Sequence, residues 1–244
     1  MDRMLYIAMN GAKQNMLAQA INSNNLANIS TTGFRADLAA ARSMPLFGGS
    51  GHPTRVYSMT EKPGIDFKQG SMSTTGRDLD VAITGDGFIS VQSPDGEEAY
   101  TRAGDFNADS AGVLRTGAGH IVLGEGGPIT IPEASKVDIG KDGTISVSQD
   151  GVGTTIIDRL KLVNPNVKDI TRNESGLFVL KNGDNAEIDD SVTVVSGAIE
   201  TSNVNAANAL VNMIELSRQF EMQIKMLKAA EENNAQAAQM MKLG

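Results

Sequence analysis

The chain has 244 residues, with no cysteine, no tryptophan, 2 histidines, 26 glycines and a formal net charge of −8. Missing thiols exclude a disulfide scaffold, a thiolate zinc site and a cysteine nucleophile, and so few histidines leave little for a His-based metal site or a general-base network. The acidic balance argues against nucleic acid as a partner, no apolar run approaches the ~20 residues that span a bilayer, and Met1 to Asn15 lacks the layout of a cleaved secretory signal.

From the N-terminus, Leu5, Ala8, Met9, Ala12, Met16, Ala20 and Ala27 recur at three- and four-residue steps. That period predicts a helix over 3–28 with one apolar stripe and an amide-rich face of Asn10, Gln14, Asn15, Asn22 and Asn25. Asn28 to Gly33 should end it, with Gly33 taking a positive φ. Residues 35–63 carry three prolines, His52 and the Gly48-Gly49-Ser50-Gly51 run, and read as an extended connector.

Residues 64–197 hold 20 of the 26 glycines. Branched apolar runs at 79–83, 87–91, 121–123, 136–139, 144–147, 160–163 and 177–180 predict short strands. Asp86-Gly87, Asp95-Gly96, Asp142-Gly143, Asp150-Gly151 and Asn182-Gly183 suit tight hairpin turns, since these residues accept φ > 0. The middle, 64–200, is therefore expected as an all-β domain, an antiparallel sandwich or irregular barrel.

From 201 onward glycine and proline vanish until Gly244. Leu210, Ser217, Ile224 and Glu231 lie seven apart, with Met213, Phe220, Leu227 and Asn234 three residues on. This heptad pattern predicts a helix over 205–241, about 55 Å long. Thr201, Ser202 and Asn203 are candidate N-caps, and Ile214 belongs to a second stripe with Ala207 and Val211. The fold class expected is α+β: terminal helices pairing as a coiled-coil-like core, and a central β domain. The divisions are 1–34, 35–63, 64–200 and 201–244.

Candidate chemistry is sparse. Asp105-x-Asn107-x-Asp109 resembles half a calcium loop but continues with Ser110 and Thr116 where Gly and Glu are needed. The glycine-rich runs at 117–119 and 124–127 lack a phosphate-loop lysine. Asp78, Asp80 and Asp86 are the carboxylates that a cell-wall-processing enzyme would use, but no cleft pattern surrounds them. No catalytic, metal or cofactor-binding residue is assigned.

Three runs carry a family resemblance. Ser23-Asn24-Asn25-Leu26-Ala27-Asn28-Ile29-Ser30-Thr31-Thr32-Gly33-Phe34-Arg35 resembles the N-terminal signature of the bacterial flagellar rod and hook family. Thr75 to Phe88, followed by Ala99-Tyr100-Thr101-Arg102-Ala103-Gly104-Asp105-Phe106 and Gly112-Val113-Leu114, resembles its central motif. Ile199-Glu200-Thr201-Ser202-Asn203-Val204-Asn205, with Arg218-Gln219-Phe220-Glu221, resembles its C-terminal motif. Met1 to Met9, Pro53-Thr54-Arg55-Val56-Tyr57 and Ala229 to Asn233 look most like the proximal-rod branch. The distal-rod branch is the alternative, and the hook branch would need a larger outer domain.

The resemblance implies a non-enzymatic structural subunit of the proximal rod. It would self-associate through its terminal helices into a hollow axial assembly that transmits torque. Copies of itself, other rod proteins and the export apparatus are the implied partners, with surrounding ring proteins as further neighbours. No nucleic acid, membrane insertion or cofactor is implied. The location implied is the periplasmic rod of the basal body, reached without a cleaved signal. Leu5, Met9, Ala12, Met16, Asn24, Asn25, Leu26, Asn28, Leu210, Met213, Ile214, Phe220, Ile224 and Leu227 are the expected assembly residues.

Overall fold

The computed structural model describes residues 4–45, 56–61, 64–132, 136–149 and 153–242. His52, the Gly48 to Gly51 run, most of the Pro53 to Tyr57 motif and the Asp150-Gly151 turn lie outside them. The chain is α+β and divides into two compact units. One gathers Met1–Asn28, Ala36–Asp66 and Val204–Gly244; the other gathers Ile29–Arg35 and Phe67–Asn203.

The first unit holds helix α1, Met4–Ala27, and helix α2, Ala206–Lys242. The two lie against each other. Asn22 Nδ2 donates to the Ala209 carbonyl at 2.8 Å, and a Cβ on Gly11 would meet the Gln223 side-chain amide. Those two contacts run in opposite directions along the helices, so the pair is antiparallel. Gly11 is the position where the missing side chain permits the close approach.

The least exposed positions of α2 include Ala209, Met213, Leu216, Phe220, Gln223, Leu227, Ala230 and Asn234. They alternate in steps of four and three, the heptad spacing. The Met213 series therefore lies where the sequence puts it, but much of its partner series is one residue earlier than expected: Ala209, Leu216 and Ala230 lie inward in place of Leu210, Ser217 and Glu231, while Gln223 and Ile224 are both half-buried. Leu210 is 49% exposed. The inward column has alanine at both ends, where the expected column has Leu210 and Glu231. Asn205 starts α2, its Oδ1 accepting the N–H of Asn208 at 3.1 Å, so the cap lies beyond Thr201 to Asn203.

The stretch expected as an extended connector contains a hairpin, with Ala40–Pro45 antiparallel to Val56–Glu61. It docks on the amide face of α1. Asn10 Nδ2 donates to the Ser58 carbonyl at 2.7 Å, and the Thr60 N–H donates to Gln14 Oε1 at 2.7 Å. Asn25 both donates to and accepts from the Asp37 main chain, each at 2.8 Å.

The second unit is antiparallel β throughout. Among its described residues the largest sheet runs in the order Ile170–Arg172, Phe178–Leu180, Glu98–Thr101, Phe88–Gln92, Ile121–Gly124, Leu114–Thr116, Phe106–Ala108. Lys136–Ile139, Thr144–Gln149 and Gly153–Arg159 form a meander, while Val81–Thr84 pairs with Thr193–Ser196 and Met72–Thr74 with Ala198–Glu200. One core joins the largest sheet, the meander and the Val81–Thr84/Thr193–Ser196 pair, including Val81, Ile83, Ile89, Phe106, Leu114, Ile145, Leu160 and Val194. The Asp95-Gly96 and Asp142-Gly143 turns do close hairpins. Asp86-Gly87 does not, because Val81–Thr84 and Phe88–Gln92 enter different sheets.

Phe106 is fully buried in this core. Phe106→Ala should cost about 3–5 kcal/mol of stability, read as a lowered urea midpoint for the purified chain; an unchanged midpoint would place Phe106 outside the core.

Candidate functional site

Arg35, Asp80, Arg102 and Glu200, which combine burial with charge, lie in the second unit. Glu200 ends the Ala198–Glu200 strand and is 2% exposed, yet it carries a carboxylate. Such a group is stable at depth only when paired and hydrogen-bonded. Both its oxygens are engaged. Arg35, itself 1% exposed, forms an ion pair with Oε1, which also accepts the Gly70 N–H at 2.8 Å. Arg102 Nη1 donates to Oε2 at 2.8 Å.

The arginines are fixed in turn. Arg102 Nε and Nη2 donate to the Gly87 and Gly85 carbonyls at 2.8 and 2.5 Å. Arg35 Nη1 donates to the Lys68 carbonyl at 2.8 Å. Arg172 Nη2 donates to the Arg35 carbonyl at 2.6 Å, and its guanidinium lies over the rings of Phe34 and Phe178, 4.8 and 5.4 Å from their centroids. Phe67, Phe88 and Phe178 pack around one another beside it, so four of the seven phenylalanines meet here. Cation–π contact adds to the hold on the partly buried guanidinium.

Main-chain bonds bring the chain segments to this point. The Gly33 N–H donates to the Glu200 carbonyl at 2.8 Å, and the Asn203 N–H to the Phe34 carbonyl at 3.2 Å. Gly33 has φ 66° and its α-carbon faces the Arg102 main chain, so a side chain there has neither a relaxed backbone nor space. Residues from the N-terminal run (Gly33, Phe34, Arg35), the central run (Gly85, Gly87, Phe88, Arg102) and the C-terminal run (Glu200, Asn203) thus converge on one carboxylate. The contacts make this a structural junction of the three runs.

The remaining central residues form a second knot. Thr75 Oγ1 donates to Asp80 Oδ2 at 2.6 Å, and the N–H groups of Thr75 and Gly76 donate to the Gly197 carbonyl at 2.9 and 3.0 Å. Arg77 Nη2 donates to the Phe106 carbonyl and Asn107 Oδ1 at 3.0 and 2.7 Å. Asp80 is buried, while Asp78 and Asp86 are exposed, so the three do not form an acid–base pair. The half calcium loop is dispersed as well: Asn107 serves Arg77, and Asp109 pairs with Arg115 at 2.9 Å and caps Ala111 and Val113. Among the described residues no group of three candidate ligands gathers, and no helix is long and apolar enough to cross a membrane.

Asp105 bridges to Asp80 across adjacent strand ends. Burial pushes its carboxyl above the usual value of 3.8, and the Asp80 charge adds to the rise; hydrogen bonds from main-chain N–H groups, Gly117 among them, oppose it.

The expected assembly residues are all on the first unit, and they divide by exposure. Met9 and Met16 are 52% and 59% exposed, and Ile214 is 54% exposed, as outward-facing as Leu210. Asn24 is exposed too. Ala12 is buried. Leu5, Asn25, Leu26, Asn28, Met213, Phe220, Ile224 and Leu227 are half-buried, and Asn28 Nδ2 donates back to the Asn24 carbonyl at 2.9 Å. Sequence reasoning quoted Arg35, Arg102 and Glu200 within motifs but gave them no role. Nothing in their local sequence sets them apart from surface charges: Glu200 lies between Ile199 and Thr201, and Arg102 between Thr101 and Ala103.

Two outcomes follow from these contacts. Glu200→Gln leaves two guanidinium groups buried against a neutral partner, and should cost about 3–5 kcal/mol in urea unfolding; a loss no larger than a surface change would show the pairs to be dispensable. For Asp105, the folded state holds its proton to higher pH than the unfolded state, so stability falls as pH rises from 3.8 through the raised value. Asp105→Asn should remove that fall, and urea midpoints of the two proteins should diverge as pH rises across this window.

Comparison with known proteins follows the same three runs. Residues 5–35 match the flagella basal body rod protein family, residues 82–147 the flagellar hook protein FlgE/F/G D1 domain, and residues 195–240 the flagellar basal body rod FlgEFG protein C-terminal family. The flagellar basal-body rod protein FlgF of Escherichia coli K12 is 41% identical over 252 residues, covering all of both chains. FlgF of Salmonella typhimurium LT2 is also 41% identical over the full length of both. FlgG of Bacillus subtilis is 32% identical, covering 95% of this chain and 96% of its own. The chain therefore belongs to the bacterial flagellar basal-body rod family, a family of structural proteins and not of enzymes, and within it resembles the FlgF proteins.

Proposed function

We propose that the chain is a structural subunit of the proximal rod, self-associating through its terminal helices into a hollow helical axis that transmits torque. Its neighbours are copies of itself and other rod proteins, with ring proteins around them. It reaches the periplasmic rod through the flagellar export apparatus, and a chain with no thiol to cross-link in transit suits that route. Two FlgF proteins are 41% identical over the full length of both chains, which supports the proximal position, although other FlgF relatives, at 32% to 33%, are no nearer than the FlgG relatives at 32% to 34%.

The observation that carries the proposal is the outward apolar surface of both helices. Tyr6, Met9, Met16 and Leu17 on α1, and Leu210, Val211, Ile214, Met222 and Met226 on α2, are exposed. Large apolar patches left in water mark interaction surfaces. The inward faces hold the two helices together as a coiled-coil-like core, supported by the four–three spacing of the α2 seam. The β unit, read as an antiparallel sandwich or irregular barrel, has its own apolar core. The site residues then have two tasks. Ala12, Met213, Phe220 and Leu227 secure the pair within a subunit; Met9, Met16, Leu210 and Ile214 meet the next one.

The test is Leu210→Asp with Ile214→Asp, expressed in a strain lacking the native gene. The purified variant should keep the circular dichroism of the native chain, since both positions are exposed, yet basal bodies should lack a completed rod and cells should not swim. Rods in native numbers, imaged by electron cryo-microscopy, would overturn the proposal.

A further inference from the structure

The thioethers of this chain are segregated. All methionines except Met72 fall in the three segments of the helical unit. Several stand on its outward surface: Met9 and Met16, seven apart on α1; Met222 and Met226, four apart on α2. The spacings place each pair on one helix face. The chain has no cysteine and no tryptophan, so exposed thioether sulfur is its most readily oxidised side-chain group. Met213, by contrast, is half-buried in the α2 seam.

We propose that Met9, Met16, Met222 and Met226 are an oxidative modification site that decides whether a free subunit can be incorporated. The oxidant class is a peroxide. A sulfur lone pair attacks one peroxide oxygen, the S–O bond forms as the O–O bond breaks, and the displaced oxygen leaves as water carrying both peroxide hydrogens. Sulfur is oxidised by two electrons and the peroxide is reduced. The product sulfoxide replaces an apolar, flexible group by a polar one that a helix–helix contact has to desolvate. Oxidation therefore acts on subunits before incorporation, while contact with neighbours shields the same sulfurs afterwards. The inference rests on the outward faces being assembly faces, as proposed above.

The experiment has two arms. In the first, the purified full chain and isolated basal bodies are treated with hydrogen peroxide and sulfoxide is followed at each methionine by peptide mass spectrometry. In the free chain the four sulfurs should oxidise on the order of tenfold faster than Met213, and in basal bodies they should be protected. In the second, two quadruple variants are compared in a strain lacking the native gene. One set is M9Q, M16Q, M222Q and M226Q, in which the amide imitates the polar sulfoxide; the other is M9L, M16L, M222L and M226L.

The glutamine set should build at least about tenfold fewer rods than the leucine set, while both purified proteins keep native circular dichroism. Equal rod counts for the two sets would overturn the oxidation proposal, and so would free-chain rates no faster than that of Met213. If the four sulfurs oxidise as fast in basal bodies as in the free chain, it is the outward-face assignment that falls.

Discussion

The β unit depends on one carboxylate shared between two arginines. Glu200 sits where a lone charge would be prohibitively unstable, and it is tolerated because Arg35 and Arg102 each take one of its oxygens. Neither arginine is its neighbour in sequence, so the junction forms only when distant segments have already been brought together. A buried ion network of this kind contributes little net stability compared with apolar packing, but any arrangement that omits one member is strongly disfavoured. Its effect is selective. It distinguishes the one arrangement in which the turn after α1, the glycine segment at 85–87 and the end of the Ala198–Glu200 strand meet. Gly33 and Phe34 follow from this: one allows the backbone to pass the Arg102 main chain, and the other provides a ring for Arg172.

Helix α1 shows the complementary strategy. An ordinary amphipathic helix turns its large apolar residues inward and its amides to water. Here Asn10, Gln14, Asn22 and Asn25 reach main-chain groups of the hairpin, of α2 and of the Asp37 segment. A carboxamide both donates and accepts, so Asn25 can satisfy the N–H and the carbonyl of Asp37 together. Directional bonds of this type position a helix without using its large side chains. Ala8 and Ala12 supply the close-packed contact, and Met9 and Met16 are left over for the surface.

Periodicity made most of the architecture legible. Both helices lie within a residue or two of their expected ends, and each of the seven anticipated strands is present in whole or in part. What failed was choosing by hydropathy alone. Leu210 outweighs Ala209 on any apolar scale, yet Ala209 is the buried one and Leu210 is left exposed, while Gln223 and Ile224 are both half-buried. The hairpin at 40–61 was obscured by the Gly/Pro-rich run in its middle, which outweighs the Val56-Tyr57 start of its second strand. The Glu200 junction was illegible for a different reason. Arg and Glu are rarely fully buried, so their default place is the surface, and only the three-dimensional meeting of the runs reveals the exception.

Taken together, these features divide the burden of folding unequally. In the β unit Ile89, Phe106, Leu114 and Ile145 are wholly withdrawn from water, and the charges among them are matched. In the helical unit, Met9, Met16, Leu210 and Ile214 remain about half exposed or more. Apolar burial is worth about 25 cal/mol per Å² removed from water, so these helix side chains retain a driving force; the β unit leaves fewer large apolar side chains exposed, Ile156 and Val167 among them. In the assembly proposed above, a subunit constructed in this way would meet its neighbours through α1 and α2. On that proposal, changes to the apolar side chains outside the seam would alter assembly while leaving the Glu200 junction and the β core intact. Changes to the junction act in the opposite sense, on the fold of the subunit before any neighbour is met.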